Sequence, residues 1–139
     1  MVDIGGDIRC FGLDPSGGSE WIIGLQNPRK ETIISKLKLV DYAVATSGDY
    51  RRYAETEGKK QSHILNPATA ASADELVSVS ILAPTAIEAD ALATAVSVMG
   101  RNRGLELIES LDGTEALVIA AENPSKLIET PGAASFLMK

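Results

Sequence analysis

Histidine and cysteine each occur once in the 139 residues, as His63 and Cys10. One cysteine excludes an internal disulfide and any multi-cysteine zinc site, and one histidine excludes a histidine-rich metal centre. Aromatic residues make up only 4% of the chain, so a core has to be assembled from Ala, Val, Ile and Leu. Basic residues are in deficit as well: 13 Lys+Arg face 19 Asp+Glu, a formal net charge of −6. That balance argues against a nucleic-acid binder, because affinity for a phosphate backbone rests on clustered cations. No apolar run approaches the roughly 18 residues that a membrane helix needs. The first six residues carry neither a basic nor an apolar leader pattern. A strand-like segment begins at Val2 with no lead-in, as in a piece that starts inside a larger fold. What is present, 45% hydrophobic and 23% charged residues, is the composition of an ordinary globular protein. The length suits one domain, 1–139, large enough to bury a core without staples.

Local patterns place most elements. Val2 to Ile4 and Ile8 to Phe11 read as short strands around the Gly5-Gly6 break, and the segment from Asp14 to Ser19 is a turn cluster. Trp21 to Leu25 is an apolar run closed by Asn27-Pro28, Ile33 to Leu39 partly alternates, and Tyr42 to Ala45 is a further short run. The last stops at Thr46-Ser47-Gly48-Asp49, a small polar segment able to form a backbone nest or a helix cap. His63 to Leu65 is expected to be a strand ending at Asn66-Pro67, and Val77 to Leu82 alternates with period two. Thr85-Ala86-Ile87-Glu88 is a capping box that opens a helix over Ala86 to Met99, with Gly100 as its stop. Leu105 to Ser110 and Ala116 to Ala121 are expected to pair as a hairpin across Asp112-Gly113. These elements predict an α+β fold, mostly antiparallel strands around a central buried helix.

That helix is apolar or small almost all round at about 100° per residue, so it is expected to be buried with Asp90 inside it. Asp90 and Thr94 are four apart and share a face, with Ser97 close by. A buried carboxylate needs a partner or a metal, and a carboxylate with a hydroxyl suits a hard cation such as Mg²⁺ or Ca²⁺. Against this, Asp90 could simply favour the helix N-terminus and bond local amides. The glycines of Gly5-Gly6-Asp7 permit close approach of a ligand or merely a turn. Thr46-Ser47-Gly48 is open between a cap and an anion site. His63 could be structural or catalytic. Cys10 reads as a small buried hydrophobe rather than a nucleophile, and the Arg51-Arg52 and Lys59-Lys60 pairs as solvated surface, though either could meet a phosphate.

Four motifs in chain order carry a resemblance. Gly5-Gly6-Asp7-Ile8-Arg9 followed by Trp21-Ile22-Ile23-Gly24-Leu25 and Asn27-Pro28 resembles "GGDIR…W.VGI.DP". Ala45-Thr46-Ser47-Gly48-Asp49-Tyr50-Arg51-Arg52-Tyr53 resembles "ATSGDYRRY", and Ser62-His63-Ile64-Leu65-Asn66-Pro67 resembles "SHIIDPRTG". Ala89-Asp90-Ala91-Leu92-Ala93-Thr94-Ala95, with Met99-Gly100 after it, is similar to "ADALATA". Together they resemble the C-terminal half of the ApbE family, the FAD:protein FMN transferases. The resemblance implies Mg²⁺-dependent transfer of FMN from FAD to a Thr or Ser of an acceptor flavoprotein, with AMP released. It implies Asp90 and Thr94 as metal ligands, His63 in catalysis, and Gly5, Gly6, Asp7, Thr46, Ser47 and Gly48 along the FAD site.

The sequence departs from the family pattern at two places. Asn66 stands where an aspartate is usual, and Ala68-Thr69-Ala70 replaces Arg-Thr-Gly. Family members are also about twice as long, and the half not matched supplies much of the flavin pocket and a backbone carbonyl to the metal. A lone half is therefore expected to be weakly active or inactive, with apolar surface that a second copy could cover. Two other readings compete: Mg²⁺-dependent hydrolysis of FAD to FMN and AMP, and a non-catalytic flavin- or partner-binding remnant. The resemblance implies a bacterial periplasmic setting at the inner membrane.

Overall fold

The computed structural model describes residues 1–48, 53–56, 59–62, 64–67 and 70–138. Along the chain run β1 (Val2–Ile4), β2 (Asp7–Arg9), β3 (Trp21–Gln26), β4 (Ile33–Leu39), β5 (Ala43–Gly48), β6 (Tyr53–Thr56), β7 (Lys59–Ser62) and β8 (Leu76–Ala83). Two helices follow, α1 (Ala86–Met99) and α2 (Arg101–Glu109), then β9 (Glu115–Ala120), β10 (Leu127–Glu129) and a 3₁₀ turn at Pro131–Ser135. Six strands form one sheet in the order β1-β2-β5-β8-β9-β10, antiparallel at every step. The hairpins β3–β4 and β6–β7 are separate. The α+β class with mostly antiparallel strands is therefore as expected.

The large sheet has a core on each face because side chains alternate along a strand. One face carries Ala43, Ala45, Val79, Ile81, Ala116 and Val118 against Ala89, Ala93 and Val96 of α1 and Ile108 of α2. The other carries Val44, Leu82 and Leu117 against Ile23, Leu25, Leu37 and Leu39 of the β3–β4 hairpin. Alanines on both sides of the first interface let α1 lie close to β5 and β8. Strand β8 is covered on both faces, so all eight of its residues are buried, Ser78 and Ser80 among them. The period-two pattern from Val77 thus distinguishes two cores, not core from solvent.

The ends of the elements follow local chemistry. Gly5 and Gly6 have φ of 68° and 102°, the double left-handed turn that joins two twisted strands with two residues. At α1, Thr85 Oγ1 accepts from the Glu88 N–H at 3.3 Å and donates to Glu88 Oε2 at 2.7 Å. Gly100 ends the helix with φ 77° and ψ 175°, a region open essentially to glycine. A β-carbon there would also stand 2.2 Å from Glu75 Oε2. Glu75 Oε1 in turn accepts from the Arg101 N–H at 3.0 Å, which satisfies the start of α2.

Two expectations are corrected. Residues 105–110 are not a strand: 105–109 belong to α2 and Ser110 caps it, and the buried Gly104 and Ile108 lie four apart, the helical repeat. Helix α1 is not buried all round, and Asp90 is not inside it. Ala89, Ala93, Val96 and Ser97 form its buried side, while Ile87, Glu88, Asp90, Ala91 and Thr94 are exposed. Small, apolar side chains fill the helix surface on both sides, so composition alone could not mark which side meets the sheet. Among the described residues no helix is long and apolar enough to cross a membrane.

Candidate functional site

Four of the candidate residues, Asp7, Ser47, Asp90 and Thr94, lie where α1 packs against β2 and the C-terminal part of β5. Segment Thr46-Ser47-Gly48 is neither nest nor cap: it is the extended end of β5, with Thr46 opposite Ser80, Ser47 opposite Val79 and Gly48 opposite Ser78. Extended backbone sends neighbouring side chains to opposite faces, and the two hydroxyls part accordingly. Thr46 lies on the hairpin side, where its Oγ1 is 2.8 Å from Ser80 Oγ. Ser47 lies on the helix side, where its Oγ is 3.3 Å from Thr94 Oγ1.

On the helix side, Asp7 and Asp90 line one cleft of about 270 Å³ together with Arg9, Val2, Ile4, Ala86 and Ile87. The β1–β2 hairpin brings Asp7 there, and the first half of α1 brings Asp90. Thr94 follows Asp90 by one helical turn. Carboxylate and hydroxyl oxygens are thus presented along the seam between α1 and strands β2 and β5. They are the donor types that a hard dication takes. Asp90 is exposed, so the argument that a buried carboxylate demands a metal does not apply; what remains is the donor set itself. Among the described residues no three His, Cys, Asp or Glu side chains lie close enough to hold a metal by themselves. A cation at this seam would need hydroxyl, backbone or phosphate oxygens in addition.

On the opposite side of the sheet, Gly6 and Thr46 share a second cleft, of about 200 Å³, with Asp3, Ile8, Gly24, Gln26, Val44 and Ser80. Gly5 sits beside it in the hairpin turn. The residues that the resemblance assigns to FAD therefore divide between the two faces at one end of the sheet. Sequence reasoning missed Ser80, which looks like the solvent side of an alternating strand and is in fact buried against Thr46. His63 lies outside the described residues, as do Arg51, Arg52 and Asp49.

Beyond the seam, Arg9 is held locally. Its guanidinium donates to the Cys10 carbonyl and stacks over the Phe11 ring, 4.8 Å from the centroid. Cys10 is fully buried, as expected, and this desolvation pushes its thiol above the ordinary range despite the nearby N-terminus and Arg9. Near Asn66, the Ala70 N–H donates to the Asn66 carbonyl at 2.8 Å, and the Asn66 N–H to the Ala71 carbonyl at 2.9 Å. Ala70 takes φ 54°.

The ApbE family pattern matches residues 1–118. The FAD:protein FMN transferase of Vibrio cholerae is 35% identical over the whole chain, and that of Escherichia coli K12 is 32% identical over 99% of it. The chain spans only 42% and 40% of those two proteins. Among solved structures, the ApbE protein of Thermotoga maritima superposes with a TM-score of 0.85 at 35% identity, covering 97% of this chain and 43% of that one. The flavin transferase ApbE of V. cholerae gives 0.78 at 32% identity, again with 97% and 43% covered.

Proposed function

Because the chain belongs to the ApbE family, we propose that it carries the metal- and phosphate-handling part of a FAD:protein FMN transferase. In this reaction an acceptor Thr or Ser hydroxyl oxygen bonds to the FMN phosphorus of FAD, the pyrophosphate bond breaks, and AMP leaves with the bridging oxygen. The proton of that hydroxyl passes to a base, the role assigned to His63. Mg²⁺, when bound, neutralises the pyrophosphate and stabilises charge on the transferred phosphoryl group. Asp90 and Thr94 would hold it, and Asp7 faces the same cleft as Asp90. Gly5, Gly6, Thr46, Ser47 and Gly48 would line the flavin nucleotide, with the two glycines letting backbone approach it closely.

The observation that carries this reading is the seam itself. Residues far apart in sequence, Asp7 with Asp90 and Ser47 with Thr94, meet there with the oxygen types that the chemistry needs. The test is mass spectrometry of a threonine-containing acceptor protein after incubation with FAD and Mg²⁺. This chain joined to the complementary portion of an ApbE protein is expected to add FMN to the acceptor, Asp90→Ala to abolish the addition, and His63→Ala to lower turnover more than FAD affinity. FAD cleaved to FMN and AMP with the acceptor unmodified would assign hydrolysis instead. FAD bound and left intact would assign a binding role, the outcome that Asn66 and the Ala68-Thr69-Ala70 segment favour.

A further inference from the structure

We propose that Ser47 is a positioning residue for Thr94, accepting a hydrogen bond from the threonine's hydroxyl so that a Thr94 lone pair points to the cation; this rests on the metal reading above. A threonine hydroxyl has one proton and two lone pairs. When it gives a lone pair to a cation, its proton has to be directed away from that cation, and a fixed acceptor makes this orientation the resting one.

The structure offers that acceptor in Ser47. Residues Ala43 and Ala45 of β5 point into the helix-side core, and the two-residue period carries Ser47 to the same face. There its Oγ meets Thr94 Oγ1 at 3.3 Å. Helical hydroxyls often direct their proton to the carbonyl four residues back, and Ser97 does so, donating to the Ala93 carbonyl at 2.8 Å. For Thr94, the hydrogen-bond partner among the described residues is Ser47, on a different element. Ser47 is only half-buried, so its own proton can turn to water while its oxygen accepts. A cation on Thr94 makes the threonine a stronger donor, which would draw in a contact that at 3.3 Å now lies just beyond the usual range of about 2.5–3.0 Å for O–H···O bonds. Hydrogen bonds of this kind, behind a ligand, typically change metal affinity about 10–100-fold.

The experiment is Mn²⁺ binding, in the presence of FAD, to this chain joined to the complementary portion of an ApbE protein, followed by electron paramagnetic resonance. Ser47→Thr and Ser47→Val are compared because their side chains have nearly the same shape and both suit a strand, so folding effects cancel. Ser47→Thr is expected to bind Mn²⁺ within about 3-fold of the unmutated protein, and Ser47→Val at least about 10-fold more weakly. In a Thr94→Val background the two should be indistinguishable, since there is no hydroxyl left to orient. Equal Mn²⁺ affinity of Ser47→Thr and Ser47→Val, or a loss that persists undiminished with Thr94→Val, would overturn the proposal while leaving the metal reading in place. If Asp90→Ala and Thr94→Val leave Mn²⁺ affinity unchanged, or the unmutated protein does not bind Mn²⁺, the metal reading and the proposal fall together.

Discussion

Cys10 shows how one side chain ties the hairpin face of the sheet to solution behaviour. It is fully buried beside Val44, Leu37 and Leu39, and its thiol is raised above its ordinary value of 9.0 chiefly by desolvation. Folding therefore favours the protonated thiol. The contribution is constant while both states keep the proton. It falls as pH rises past about 9, where the unfolded chain gives up its proton first. Urea denaturation of the unmutated protein and of Cys10→Ala, each at pH 7 and pH 10, checks this. The stability advantage of the cysteine should be smaller at pH 10, and a difference that does not change with pH would contradict the assignment. Iodoacetamide should likewise label Cys10 only after unfolding, because the reactive species is an exposed thiolate. At this scale the sequence was informative: a lone cysteine flanked by strand residues reads as a buried hydrophobe. The fate of Asp90 was not legible, because an alanine-rich helix looks apolar from every side until the sheet selects which side to cover.

At the scale of elements, the loop between β7 and β8 carries a conflict between residue type and backbone. Where "SHIIDPRTG" has glycine this chain has Ala70, and its φ of 54° is the left-handed conformation that glycine adopts without strain. The residue suited to that conformation is absent here. An alanine there costs roughly 1–2 kcal/mol, partly offset by the greater freedom that glycine has in the unfolded chain. Ala70→Gly is thus expected to stabilise the protein by up to about 1 kcal/mol in chemical denaturation, and destabilisation would show that the turn is not under this strain. The elements readable from sequence were those with local punctuation: Gly5-Gly6, Asn27-Pro28, and Thr85 with Glu88. Those missed lack it. Helix α2 follows α1 after a single residue, so Gly100 reads as a stop when it is also a hinge between helices. Strands β6 and β7 run through Tyr53–Thr56 and Lys59–Ser62, segments with no apolar alternation to announce them. The separation of Thr46 from Ser47 follows only once that segment is known to be extended.

At the scale of the molecule, the cleft that holds Asp7 and Asp90 is rimmed by apolar side chains open to solvent. Val2 is 49% exposed, Ile4 74% and Ile87 79%, and all three line the same cleft. The matched V. cholerae transferase extends well beyond the 42% of its length that this chain spans. Flavin transfer depends mainly on positioning and charge stabilisation, and both need a pocket closed on every side. The 139 residues expressed alone are accordingly expected to give little FMN transfer to a threonine-containing acceptor. Adding the complementary portion of an ApbE protein, fused or in trans, should restore Mg²⁺-dependent transfer. Ile4→Ser with Ile87→Ser should weaken that restoration, because the two isoleucines stand at the rim where added protein would cover the cleft. If the isolated chain instead self-associates in sedimentation and the double substitution makes it monomeric, a second copy is what covers this face. Full transfer by a monomeric 139-residue chain would show that the seam between α1, β2 and β5 is a complete site, and that neither partner is required to close it.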